Sequence, residues 1–506
     1  MRPATADSEQ LEARERSPGD SRSRWNRDPD RIGTQNRRWN RDKVHPWALG
    51  RVGKCVYNMV TAIDLYGRWL VQVWGWVVCS TCVCEGRVQR VFNGGGPRYI
   101  TGPRAAAMSL ESLPEHLRVP HLRPLQPMPM RKDGKPFIAL RDPAMLSKQT
   151  MIVPAQALAV LQQFQGQRSV DEIAQQLNGD VDQLIELAKQ LDKLGLLWGP
   201  TFEQLEAELK VKLETKGAFP ATASRAMGKD EAECRKAIEG YLDQTDDPEL
   251  SAPATAIVAP HLDYERGWPN YAGAYYGFKD VDPPDRVVIL GTNHFGLGDG
   301  VVMSEYGFDS PMGHNPADSI VIGMLLEQFG RPLIVDQLDH LAEHSIQLQL
   351  PWVQYFFGEV PIVAALIPDP MTPMIQDDDQ RVRTADFVTA LGEVLQEVGG
   401  TTRFIASSDL SHVGPQFGEP RAVDEQRRFD VERHDREMLV KFLSGDPEEF
   451  LGAMRWNKNP TRWCSIGNMA AVLALSETDR VELIDYRQAY DERGFAMVSS
   501  AAVALM

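Results

Sequence analysis

The chain has 506 residues, a net charge of −16 and 43% apolar residues, enough to bury a large core in more than one folded unit. This excludes a disordered acidic tail, a collagen-like fibre and a disulfide-stapled mini-protein, and the acidic balance argues against a nucleic-acid surface over the whole chain. No run of about 20 apolar residues is present, so no membrane span is expected, and six cysteines suit a reducing, cytoplasmic compartment.

The net charge conceals a division. Residues 1–107 carry 18 Arg and Lys against 10 Asp and Glu, with four of the six cysteines and six of the eleven tryptophans. No secondary-structure period persists there. This stretch is expected to lie outside the folded protein, as a mis-assigned start upstream of Met108; the rival reading is an Arg-rich targeting or interaction arm. The apolar patch Trp69–Cys84 spans 16 residues and contains Gln72, Ser80 and Thr81, too short and too polar to cross a membrane. Cys79, Cys82 and Cys84 form a C-x-x-C-x-C run, but no second pair stands at a usable spacing for a metal.

Residues 108–200 read as a small helical unit. Two short strands are expected at 136–142 and 149–153. A helix follows Pro154 and ends at Gly166. Ser169 and Glu172 have capping-box spacing, and Asp180 or Asp182 opens a helix with Leu184, Leu187, Leu191 and Leu194 on one face. Gly195 terminates it, and 196–198 returns as a strand. This outline is winged-helix-like and resembles the PqqD-like peptide-binding units associated with radical SAM enzymes. Its two readings are peptide recognition at a strand edge and plain docking onto the next unit; the acidic third helix disfavours DNA. A charged linker helix is expected at 201–217 (linker 201–218), another helix at 229–243 with Cys234 as an ordinary helix residue, and a loop at 244–254.

From 255 onward, apolar runs end on reactive residues. The run 255–260 precedes His261 and Asp263, 286–292 precedes Asn293 and His294, and 403–408 precedes Asp409 and His412. A further strand is expected at 361–368, and helices at 317–329, about 343–357 and about 382–398. Continuous β-branched runs alternating with helices predict an α/β fold, a mostly parallel sheet covered by helices on both faces. Ligands then bind beyond the carboxyl ends of the strands. His261, His294 and His412 share that position, and imidazoles converging on one edge commonly hold a divalent transition metal. Asp409 stands three residues before His412 and either tunes it or closes an Asx turn. His314 and His434 read as structural. Cys464 precedes a helix, whose dipole favours its thiolate as a soft ligand or redox thiol; the plain reading is a small buried hydrophobe. His340–His344 spells H-L-A-E-H, the pattern of inverted zinc peptidases.

Segments 259–278 (APHLDYERGWPNYAGAYYGF), 287–296 (VVILGTNHFG), 342–357 (AEHSIQLQLPWVQYFF), 404–414 (FIASSDLSHVG) and 464–468 (CSIGN) together resemble the Memo family, in its bacterial form known as AmmeMemoRadiSam system protein B. The resemblance covers 255–506, with a weaker match from 219. It implies a fold related to class III extradiol dioxygenases. It also implies His261, His294 and Cys464 as metal ligands, His412 as acid/base with Asp409 beside it, and Glu343 and His344 lining the catalytic pocket. The implied metal is iron(II), with copper and zinc served by the same donors. The implied partners are a radical SAM protein and an AMMECR-type protein, acting with an unidentified small-molecule substrate. Thr292-Asn293 stand where the family usually has Pro-Ser, and Ser465 stands where it has Gly. Three functions are carried forward: a redox or oxygenase-like metal enzyme, a non-catalytic metal-binding partner protein, and a zinc peptidase through His340 and His344.

Overall fold

The computed structural model describes residues 112–506, apart from 133, 295, 297–298, 372–380, 477 and 479, together with the short strand Gln89–Arg90. The Trp69–Cys84 patch and its cysteine run lie outside the described residues.

The first described unit has a core of its own. Strands Gln126–Lys132, Lys135–Arg141 and Met151–Pro154 form an antiparallel meander, with Gln89–Arg90 added in parallel at its edge. Helices Val170–Leu177 and Val181–Lys193 pack Ile173, Leu184, Leu187 and Leu191 against Ile138, Leu140 and Val153. Both helix starts follow from their caps. The Ser169 backbone N–H donates to Glu172 Oε2 at 2.8 Å, and Asp180 Oδ1 accepts from Asp182 N at 2.9 Å, satisfying N–H groups that the first turn leaves open. The helix expected from Pro154 to Gly166 is a single turn, Ala157–Leu161. The expected strand at 196–198 is only a bridge from Leu197 to Leu122. The linker helix runs Pro200–Lys216 and is followed by helix Glu231–Leu242, in which Cys234 is fully buried.

The larger unit is built on eight strands: β1 Ala256–Ala259, β2 Arg286–Thr292, β3 Val302–Met303, β4 Ile362–Ile367, β5 Thr402–Ser407, β6 Asp409–Val413, β7 Val481–Tyr490 and β8 Met497–Leu505. Its helices include α1 Tyr264–Tyr275, α2 Ser319–Phe329, α3 His344–Gln347, α4 Leu350–Phe357, α5 Thr384–Val398, α6 Glu425–Phe442, α7 Pro447–Asn457 and α8 Ile466–Ser476. The sheet order is β6-β8-β1-β5-β2-β4-β3, with β7 paired to β8. The central strands β1, β5, β2 and β4 are parallel. The flanks are antiparallel, so the sheet is mixed rather than mostly parallel. On one flank the cause is the C-terminal β7–β8 hairpin: one edge of β8 pairs with β7 along its length, and the other pairs with β1 at 503–505 and with β6 at 497–500.

Alternation along each central strand explains the two covered faces. Val288, Leu290, Val363, Ala365 and Ala406 enter one core with residues of α2, α5, α6, α7 and α8. Val287, Ile289, Ala364, Leu366 and Ile405 enter the other with residues of α1 and α4. Each fully buried aliphatic side chain contributes about 1.5–3 kcal/mol of transfer free energy. The single helix expected over 343–357 is broken into α3 and α4. Pro351 cannot donate to the Gln347 carbonyl and crowds it, which ends α3 and opens α4.

Candidate metal centre

The carboxyl ends of β1, β5 and β2 lie side by side in the sheet, and the chain places a functional group just beyond each. His261 follows β1, Asp409 follows β5 and His294 follows β2. The N-terminus of α3 is tied to the β2 end by Ser345, whose Oγ accepts from Thr292 N at 3.0 Å and donates to Thr292 O at 3.0 Å. Gly291 makes room for this contact, since a Cβ there would stand 2.5 Å from Ser345 Oγ. Gly467 does the same for α8, because a Cβ would meet the Pro368 carbonyl at 2.6 Å.

Three imidazoles converge. His261 and His294 have ring centroids 4.9 Å apart, His261 and His344 5.3 Å, and His294 and His344 4.7 Å. One ring nitrogen from each lies within 4.8 Å of the other two. Hydrogen bonds decide which nitrogens are available. His261 Nδ1–H donates to the Ser407 carbonyl at 3.0 Å, leaving the Nε2 lone pair. That Nε2 is 3.3 Å from Cys464 Sγ and 3.8 Å from Asp409 Oδ2. His294 Nδ1–H donates to Glu343 at 3.1 Å, and its backbone N–H donates to Glu343 Oε2 at 2.7 Å. Glu343 also caps α3, accepting from His344 N at 2.7 Å and Ser345 N at 2.9 Å, with His344 Nδ1 3.0 Å from Oε1. Buried imidazoles whose outer nitrogens are pinned by a carbonyl and a carboxylate are the donor chemistry a divalent transition metal requires. The described residues therefore fit a metal ion.

Burial sets the protonation states. It holds His261 well below the usual imidazole range, reinforced by His294 and His344, and with His294 it pushes His412 down to about 3. It also pushes Asp409 up to about 7. Burial would raise Glu343 as well, but the His294 and His344 imidazoles outweigh it and keep the carboxyl well below its ordinary value. Cys464 is raised by burial and then by Asp409. This reverses the expectation that the dipole of α8 favours the thiolate: desolvation wins, and the sulfur is a neutral thiol on its own.

The expected site residues are thus distributed unequally. His261 and His294 meet as expected. His344, read from the resemblance as a lining residue, completes the triad, and Cys464 stands against His261. His412 is a neighbour on β6 outside the triad. Its Nδ1–H is shared between the Leu410 carbonyl at 2.9 Å and the Arg462 carbonyl at 3.1 Å. Asp409 reaches the site through its Oδ1, which accepts the His261 backbone N–H at 3.0 Å. The Ser407 carbonyl was not singled out in the sequence, since a backbone acceptor leaves no residue-type signal.

The H-L-A-E-H segment does not place both imidazoles on one helix face. His340 lies in a separate 3₁₀ turn, Gln337–Leu341. It packs against the stacked rings of Phe219 and Phe308, and its Nε2–H donates to the Val302 carbonyl at 3.1 Å. That placement removes the inverted zinc-peptidase arrangement. Among the described residues, no helix is long and apolar enough to cross a membrane.

Residues 219–504 match the Memo-like protein family. A MEMO1 family protein of Methanopyrus kandleri is 29% identical over 54% of this chain and 93% of its own length. One from Thermotoga neapolitana is 32% identical over 43% and 70%, and one from Aquifex aeolicus 25% identical over 65% and 84%. A solved structure of an uncharacterized Escherichia coli K12 protein covers 49% of this chain and 98% of that one at 12% identity, with a TM-score of 0.28. With the family match covering more than half of the 506 residues, this chain belongs to the Memo-like family.

Proposed function

We propose that the chain is a metal-dependent, oxygenase-like redox protein acting on a small molecule, with His261, His294 and His344 as imidazole donors and the Cys464 sulfur beside them. The observation that carries this reading is the convergence of three buried rings whose nitrogens lie within 4.8 Å of one another. The resemblance points to iron(II) before copper or zinc. A bound ion would supply Lewis acidity and, as iron or copper, one-electron chemistry.

The chain's own residues do the rest. Glu343 orients His294 and holds the N-terminus of α3 in place. The Ser407 carbonyl fixes the His261 tautomer. Asp409, titrating near 7, is matched to taking and giving a proton at neutral pH. His412, pushed down to about 3, is neutral there and serves as a hydrogen-bonding wall of the pocket rather than a proton store. This assigns to Asp409 the acid/base task that the resemblance gives to His412. A radical SAM protein and an AMMECR-type protein are the proposed partners, with residues 108–200 as the docking unit and a reducing, cytoplasmic setting.

The test is elemental analysis of protein purified without oxygen, beside the His261→Ala and His344→Ala variants. About one transition metal per chain, lost in both variants, supports the reading. Folded wild-type protein that binds no such metal after reconstitution defeats it. Deletion of 108–200 should abolish partner capture and leave metal content intact.

A further inference from the structure

One side chain joins the ends of two neighbouring strands of the site, β5 and β2. Asn468, in the first turn of α8, is buried. Its Nδ2 donates to the Ser407 carbonyl at 2.8 Å and to Thr292 Oγ1 at 2.9 Å. The same Ser407 carbonyl accepts His261 Nδ1–H, so its two lone pairs are both taken. Thr292 lies two residues before His294, and its Oγ1 also meets Ser465 Oγ at 3.1 Å and the Cys464 carbonyl at 3.3 Å. The Asn468 amide cannot be turned over. Reversal would set Oδ1 against a carbonyl oxygen at hydrogen-bond distance, two acceptors in a buried site. In the observed orientation Oδ1 meets no donor, so what fixes this side chain is what it gives.

We propose that Asn468 is a positioning residue of the metal centre: its amide locks the end of β5, on which His261 hangs, to the end of β2, which leads into His294, and ties both to the segment that carries Cys464. The inference rests on the metal reading above. It assigns a task to a residue that touches no candidate ligand side chain. Groups that orient metal-ligating imidazoles typically change affinity by about 10–100-fold when removed.

The probe is Co(II) alone, titrated into the full chain without oxygen, reading both affinity and the visible ligand-field spectrum. Asn468→Asp keeps the shape but sets a carboxylate oxygen against the Ser407 carbonyl. It should weaken Co(II) by at least about tenfold and alter the spectrum. Thr292→Val removes only the hydroxyl acceptor and should shift both readouts in the same direction, while Thr292→Ser, which keeps the oxygen, should restore them. The double variant Asn468→Asp/Thr292→Val should bind no worse than Asn468→Asp, because both break one connection. If Asn468→Asp does not fold, the Thr292 pair alone decides. Wild-type binding with unchanged affinity and spectrum in Asn468→Asp and Thr292→Val overturns the placement of Asn468 and leaves the metal reading standing. Failure of the wild-type chain to bind Co(II) overturns both.

Discussion

Replacing Glu343 by Gln should weaken metal binding without removing a ligand. The carboxylate accepts from three backbone N–H groups, those of His294, His344 and Ser345, at 2.7, 2.7 and 2.9 Å, and from His294 Nδ1–H at 3.1 Å. A carboxamide of the same shape has one acceptor oxygen. If its nitrogen takes the Oε1 position, it faces the N–H groups of His344 and Ser345. If it takes the Oε2 position, it faces the N–H of His294. Either way at least one charge-assisted hydrogen bond becomes a donor–donor contact, at about 1.5–3 kcal/mol for each bond lost. Part of that cost falls on the folded chain without metal and part on His294, whose ring is no longer held. For the metal, the partner of a ligating imidazole is worth about 10–100-fold in affinity, or about 1.4–2.7 kcal/mol. Competition against a chelating indicator with Zn(II) measures this directly, and thermal unfolding without metal reports the remainder. Glu343→Gln protein that folds and binds Zn(II) as tightly as wild type would refute the assignment of Glu343 as the group that orients His294.

Four further outcomes are expected. His344→Ala should lose Zn(II) while Cys464→Ser retains most of it, because the three imidazole nitrogens lie within 4.8 Å of one another while Cys464 Sγ stands against His261; the reverse order in equilibrium dialysis would restore the two-His, one-Cys set. His340 is held down to about 4 by burial, below its unfolded value of about 6.5, so the unfolded state binds its proton first and stability falls as pH drops from about 6.5 toward 4. The full effect is about 3 kcal/mol, and His340→Gln should flatten that part of the urea-denaturation profile. Arg123→Ala should destabilise the first unit by about 3 kcal/mol by leaving Asp142 buried without its guanidinium at 3.1 Å, read as faster proteolysis of 112–200. Trp352→Ala, which empties the centre of the stack with Tyr271 and Tyr275, should cost about 3–5 kcal/mol in chemical denaturation.

The parts of the fold that were legible in the sequence are those where one local rule has no competitor. The run 287–291 is continuously apolar because β2 is buried on both faces, and Ser169–Glu172 caps a helix by short-range hydrogen bonding alone. The C-terminal hairpin was not legible. β7 mixes Glu482, Asp485 and Arg487 with apolar residues along a mostly half-buried strand, and β8 is rich in Ser and Ala, which carry little strand signal. In the site, His261 and His294 follow strand ends and could be read from that position. His344 could not, since its place depends on Ser345 stitching α3 to the end of β2, a contact between residues 53 apart. The state of Cys464 depended on burial outweighing a helix dipole, and burial is a tertiary property. Asn468 looks like an ordinary helix residue in sequence; only the meeting of the β5 and β2 ends gives its amide something to hold.

The charge balance of the pocket gives an independent reason to expect a cation there. Glu343 is kept ionised and fully buried, with His294, His344 and three backbone N–H groups as its partners and no guanidinium among them. Burial opposes a positive charge on His261 and His412. A divalent ion held by the three ring nitrogens would supply positive charge beside the carboxylate while those imidazoles stay neutral donors. The same reasoning explains why the carboxylate stands behind the imidazoles. There it raises their basicity and fixes their tautomers, and the inner face of the pocket is left to neutral donors and to Asp409, whose carboxyl can carry a proton near neutrality.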